Sequence, residues 1–320
     1  MSSLHRKTEI PALLAPEQTF SQKMIRDFQR NKGLYLMVLP VILYYLIFHY
    51  RPMYGAMIAF KDFYPMQGIM GSPWVGFKHF EEFFQGFYFW RIFKNTLIIS
   101  GTSLIFGFPA PIILALLINE LKNRTFTRAV QTITYMPHFI SLVVVCGMIH
   151  DFTRDTGVIS YLLSLFGWEK TTMLNQPGMF VPVYVISGIW QEVGWGSIIY
   201  LAALSGIDPQ LYEAATVDGA GRWKQLWHIT LPSLAPTIII LLILRLGNLM
   251  SIGFEKIILL YNPVIYETSD VISSFVYRKG LQEFNWSYSA AVGLFNSVIN
   301  FALLVSANWF SRKLNKTSLW

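Results

Sequence analysis

Residues 207–236 read IDPQLYEAATVDGAGRWKQLWHITLPSLAP, a polar stretch with two prolines near its far end and long apolar runs on both sides. Runs of about 20 apolar residues have the length of a bilayer-crossing helix. A polar interruption of this size therefore stands outside the bilayer. We read it as a cytoplasmic docking element through which another protein moves the flanking helices.

Asp208 followed by Pro209 is an N-cap and first helical residue, because the carboxylate accepts an otherwise orphaned amide and proline has none to satisfy. Gln210 through Val217 then form two turns. Gly219 and Gly221 supply a tight corner, and Arg222 through His228 form a second short helix before Thr230 and Pro232 launch the next span. Leu211, Ala214 and Ala215 are expected on one side of the first helix, with Glu213 on its flank. By these residues alone, the segment reads equally well as an idle interfacial loop.

Working outward, the composition leaves little room for a soluble protein. Of 320 residues, 53% are hydrophobic and 13% charged, with mean hydropathy +0.43, against about 25% charged in soluble domains. We expect an all-α polytopic membrane protein with six spans at about 34–50, 95–118, 133–149, 179–204, 234–254 and 288–310, preceded by a tail (1–33) and followed by another (311–320). In the first tail, Phe20, Met24 and Phe28 recur at helical spacing while Lys23, Arg26 and Arg30 face elsewhere, which fits a helix lying on the membrane surface. Phe80 through Trp90 alternate aromatic and polar residues, as at the headgroup level. The charged first tail lacks the pattern of a cleaved signal, so the first span is expected to be retained.

Six spans place both termini on one side. With that side cytoplasmic, it carries 14 basic and 7 acidic residues in short loops and tails, against 10 and 11 on the opposite side with its longer loops, Glu192 of span four being counted there and Arg245 left within its span. Both termini and segment 208–232 are therefore expected to be cytoplasmic. The net charge of +7 sits at span ends, which fits anionic lipid better than nucleic acid. The single Cys146 and the lone His138 have no companions spaced for metal or nucleophilic chemistry, so no catalytic or metal-binding residue is assigned.

Span four carries the principal polar interior: Trp190, Gln191 and Glu192, then Gly194, Trp195, Gly196 and Ser197. A charge at mid-bilayer costs about 2.5–3.5 kcal/mol, so Glu192 is expected to face protein or water. Trp190 can stack on a ring-shaped solute while Gln191 or Glu192 bonds its polar groups; equally, the acid can pair with another span. Gly194 and Gly196 read first as sites of close helix crossing. Arg245 can meet an acidic cargo, pair with Glu192 or reach a headgroup. Asn248, Asn296 and Asn300 line the same passage or bond across helices.

The spacing Glu213-Ala214-Ala215, three residues, Gly219, nine residues, Ile229, one residue, Leu231-Pro232 resembles the EAA signature of permease subunits in binding-protein-dependent ABC importers; Asp218, Ala220 and Pro236 extend it. Gly76 through Phe84, Phe93-Lys94-Asn95-Thr96, Asn119 through Arg128, Tyr135-Met136-Pro137 and Trp190 through Leu204 look like the carbohydrate-transporting type I branch related to the maltodextrin permease. Within it, they look like a first permease of the complex or acidic oligosaccharide subgroup, without that relative's extra N-terminal spans and external domain. The resemblance implies that Glu213 through Gly221 dock into a cytoplasmic ATPase. It also implies a second EAA-bearing permease, two ATPase copies that bind ATP and Mg, an external solute-binding protein and a bacterial inner-membrane location. No Gly-rich loop ending in Gly-Lys-Ser/Thr occurs here, so ATP hydrolysis belongs to another subunit. An ion-coupled secondary transporter, for which a buried acid such as Glu192 would serve, and a membrane-embedded enzyme are the rivals.

Overall fold

A computed structural model describes residues 20–315 and 318–319. Among them the secondary structure is helical apart from one isolated bridge, Lys61 with Trp74. The described residues fall into two bodies, divided between Ala56 and Met57.

In the first body, helix α1 (Phe20–Arg30) leads into α2 (Lys32–Tyr45). Asp27 joins the two, accepting hydrogen bonds from Asn31 Nδ2 and Tyr35 OH at 2.7 Å each. Met24 and Phe28 are exposed. The expected face of α1 includes Phe20 and Lys23, whose side chains lie outside the described residues, as do most of the first tail and Lys316.

The second body contains α3 (Lys78–Gln85), α4 (Phe89–Asn119), α5 (Arg124–Tyr135), α6 (Leu142–Thr153), α7 (Pro177–Ser205), α8 (Pro209–Val217), α9 (Arg222–Gly247), α10 (Phe254–Leu260), α11 (Ile272–Tyr277) and α12 (Trp286–Asn315). The stretches at 32–60, 89–119, 222–247 and 286–313 are long and apolar enough to cross a membrane. The chain is a multi-pass membrane protein. Helix α7 has 29 residues, about 43 Å at 1.5 Å per residue, but Gln191 and Glu192 dilute its apolar character.

The expected span 133–149 is broken near its start. After Tyr135 the chain tightens into a 3-10 turn over Met136–Phe139, Ile140 and Ser141 are extended, and α6 leaves at 99° to the preceding stretch. Pro137 has no amide to continue the α-helical ladder. An apolar count passes over such a break. The fifth span is likewise shifted: a π-turn over Leu226–Thr230 joins Arg222–Gln225 directly to the apolar helix, which stops at Gly247 rather than Phe254.

Phe83 is buried with Phe89, Ile92, Met250, Ile272, Phe275 and Val292, so the centre of the expected headgroup-level segment is protein core. Nearby, Asn95 Nδ2 donates to the carbonyls of Glu267 (2.8 Å) and Asp270 (3.0 Å), and Thr96 Oγ1 accepts from Ile272 N at 3.0 Å. The side chain of Asp270 is fully buried and takes a two-pronged contact from Arg278, at 2.7 and 3.2 Å, and one from Arg91 at 3.3 Å. Burial works against the Arg278 charge, yet the hydrogen bonds and the carboxylate of Asp270 outweigh it and hold its pKa above the usual arginine value.

Candidate functional site

The docking segment folds as its sequence dictates. Asp208 caps α8 by accepting from Gln210 N at 2.9 Å, and Pro209 takes the first helical position. At the far end Ala220 N donates to Ala215 O (2.8 Å) and Gly219 N to Thr216 O (3.1 Å), while Gly219 takes φ +76°. This is a Schellman closure, whose left-handed residue favours glycine. Gln225 Nε2 then bonds both Thr216 Oγ1 and Ala220 O at 3.0 Å, and Tyr212 OH meets Thr230 Oγ1 at 3.0 Å. The two short helices are thereby held in one bent unit.

Glu213, Ala214, Asp218 and Gly219 are exposed, as is Val217 at 88%. Ala215 and Ala220 are half-buried, which corrects the grouping of Ala215 with Ala214: Ala215 falls on the face of Tyr212, three residues earlier. Val217, the most exposed large apolar residue of α8, is missed because it is not part of the EAA spacing. Ile229 and Leu231 are half-buried and Pro232 exposed. At the base of the segment Leu204 and Leu234 share a buried cluster with Ala115 and Tyr200. Beside it, Arg222 Nη1 lies 3.7 Å from Glu120 across an open cleft of about 340 Å³.

The polar middle of α7 divides between its faces. Gln191, Gly194 and Ser197 are buried, whereas Trp190, Glu192 and Trp195 are exposed on this chain. Gln191 therefore belongs to the helix-packing side, not with Trp190 and Glu192. A Cβ at Gly194 would overlap the Thr134 carbonyl, and one at Gly196 would come within 3.0 Å of Pro111. Both glycines are sites of close crossing, as expected.

Glu192 Oε2 lies 3.0 Å from His138 Nδ1, and the His138 ring stacks on Trp195 at 4.5 Å. The acid thus pairs with a histidine given no role from sequence, and not with Arg245. Two ionisable residues in otherwise apolar stretches are the signal that could have joined them. Arg245 is exposed and forms no ion pair among the described residues. Asn248 bonds back to Leu244 O at 3.2 Å. Asn300 accepts from Met250 N (2.9 Å) and donates to Ser251 Oγ (2.8 Å), with Asn296 reaching the same hydroxyl at 3.5 Å. These last two side chains bind the non-helical stretch after α9. Among the described residues no group of His, Cys, Asp and Glu is arranged to hold a metal.

A membrane bundle carrying a capped short helix of EAA spacing defines the membrane component of an ABC importer. Residues 107–316 match the family model described as binding-protein-dependent transport system inner membrane component, and the chain belongs to that family. It is a transport subunit rather than an enzyme. It is 42% identical to Protein LplB of Bacillus subtilis over all of both chains. It is also 42% identical, over 97% of each, to the polygalacturonan/rhamnogalacturonan transport system permease protein YteP of the same organism. Among solved structures it resembles a chain of a bacterial ABC transporter involved in import of the acidic polysaccharide alginate (TM-score 0.85, 48% identity, 92% of this chain and 99% of that one). A second structure of a bacterial alginate ABC transporter, in complex with an alginate pentasaccharide-bound periplasmic protein, gives TM-score 0.86 and 47% identity over 93% and 100%.

Proposed function

We propose that this chain is one of two unlike permeases of an ATP-driven importer in the bacterial cytoplasmic membrane, and that its cargo is an acidic oligosaccharide. The observation that carries the reading is α8: a capped helix that presents Glu213, Ala214 and Val217 outward, within a segment whose flanking residues Leu204 and Leu234 share one buried cluster. A partner that grips this face moves α4, α7 and α9 together. Relatives whose names specify polygalacturonan, rhamnogalacturonan and alginate support the cargo class.

In this reading the chain crosses the membrane six times with both termini and segment 208–232 in the cytoplasm. Two ATPase copies dock on this α8 and on its counterpart in the second permease. They bind ATP and Mg, which this chain does not. Their closure draws the two coupling helices together and opens the passage outward; hydrolysis and product release return it inward. An external solute-binding protein delivers cargo to the passage, where Trp190, Glu192, Arg245 and Asn248 are exposed.

Uptake of a labelled uronate tetrasaccharide by vesicles containing the complete importer tests this. Uptake is expected only with the binding protein outside and ATP inside. Uptake that persists on an ion gradient without the ATPase identifies a secondary transporter instead, and covalent change in the recovered sugar identifies an enzyme.

A further inference from the structure

Helix α1 has no part in the coupling unit or the passage, yet its surface is sharply divided. Met24 and Phe28, four residues apart on one face, are both exposed. Arg26 and Arg30 lie two residues further on from each, about 200° around the helix, and are exposed as well. Neither arginine forms an ion pair among the described residues. Over residues 20–32 the sequence sets Lys23, Arg26, Arg30 and Lys32 against a single carboxylate, Asp27.

A corner at Asn31 (φ −114°, ψ 24°) fixes where this helix lies, for α1 ends and α2 begins there. Asn31 N donates to Asp27 O at 2.8 Å, and the Asn31 carbonyl accepts from Leu34 N at 2.9 Å and Tyr35 N at 3.2 Å. The Asp27 carboxylate takes the side-chain bonds of Asn31 and Tyr35, and the Phe28 ring lies 5.1 Å from that of Tyr35. The acid is therefore used within the corner, and the charge left on α1 is positive. Helix α2 is apolar from Leu34, has no buried residue and opens a stretch long enough to cross a membrane. The bilayer boundary accordingly falls at the corner, where a tyrosine suits the headgroup layer, and α1 is fastened at that depth. A groove on a partner subunit would answer Met24 and Phe28 but not the cations. A leaflet answers both, with acyl chains below and phosphates around the helix.

We propose that α1 is a docking surface for anionic phospholipid of the cytoplasmic leaflet: Met24 and Phe28 enter the acyl boundary while Arg26, Arg30 and Lys32 meet phosphate headgroups. The proposal rests on the cytoplasmic placement of the first tail in the reading above and is independent of the cargo.

The test places a nitrobenzoxadiazole label on a Met24→Cys chain, the native Cys146 being buried, in the complete importer. The importer is reconstituted in phosphatidylcholine, with or without phosphatidylglycerol, and the label is read by quenching from lipid carrying a nitroxide high on its acyl chain. Quenching is expected to be about threefold or more stronger with phosphatidylglycerol. Each cation beside an anionic leaflet raises occupancy about fivefold, so the R26Q/R30Q pair, at exposed positions, is expected to abolish most of that difference. Molar salt, which shortens the screening length to about 3 Å, is expected to do the same in the wild-type sequence. Equal quenching in the two lipids, unmoved by R26Q/R30Q, overturns the anionic surface. A label that the nitroxide lipid fails to quench, but that the assembled subunits shield from aqueous quencher, assigns the face to protein and overturns it too. Labelling of Met24→Cys by an impermeant maleimide in intact cells overturns the cytoplasmic placement along with the proposal.

Discussion

Gly219 illustrates how one backbone angle fixes the handle of the transporter. Its φ is +76° and nothing lies within 4 Å of the place a Cβ would occupy, so conformation rather than space decides what the position accepts. Left-handed geometry costs an ordinary residue about 1–2 kcal/mol, and asparagine less. Gly219→Asn is therefore expected to retain ATPase association in a pull-down, and Gly219→Val to weaken it severalfold; equal loss in both would show that the ATPase surface demands the absence of a side chain. Gly194 is the opposite case, because a methyl there meets the Thr134 carbonyl. Gly194→Ala is expected to destabilise the bundle by about 1–3 kcal/mol, seen as a lower melting temperature in detergent. At this scale the sequence was informative for glycines, caps and the EAA residues, whose reasons are local. It offered Arg245 as a partner for Glu192 and passed over His138, because that pairing depends on how two spans cross.

At the scale of elements, the coupling unit is held by side-chain bonds that spacing does not reveal. Gln225 ties α9 to Thr216 and to the Ala220 carbonyl. Gln225→Leu is expected to leave α8 folded, since its cap and closure are untouched, but to loosen its angle. Cargo-stimulated ATP hydrolysis by the complete importer is then expected to fall severalfold while cargo binding to the external protein stays at the wild-type level. Asp270 is a second such tie, with Arg91, Arg278, Ser274 and the α4 start converging on it. Removing one member of a buried ion pair costs about 3–5 kcal/mol. Asp270→Ala is expected to free the 262–285 loop, read as faster amide exchange there than in α12. The Phe93-Lys94-Asn95-Thr96 run resembled a family pattern before its role was visible; Asn95 and Thr96 prove to fasten that loop. Element ends were less legible, because a π-turn at 226–230 extends a helix and a 3-10 turn at 136–139 breaks one, and both occur within continuous stretches of pattern.

At the scale of the whole molecule, apolar runs were enough to indicate a multi-pass helical protein, and charge asymmetry gave an expected orientation. The functional reading needed more: a polar segment whose two ends return to a common cluster of Ala115, Tyr200, Leu204 and Leu234, so that force on α8 reaches three long helices. The most direct test exploits the single native cysteine, Cys146, which is buried. A Val217→Cys chain, assembled with its partner permease in the presence or absence of the ATPase subunits, is treated with a membrane-impermeant maleimide in intact cells and in inverted membrane vesicles. The account predicts labelling at position 217 in inverted vesicles alone, and its suppression when the ATPase subunits are present. Labelling from outside intact cells, or labelling in inverted vesicles that the ATPase does not diminish, would contradict it.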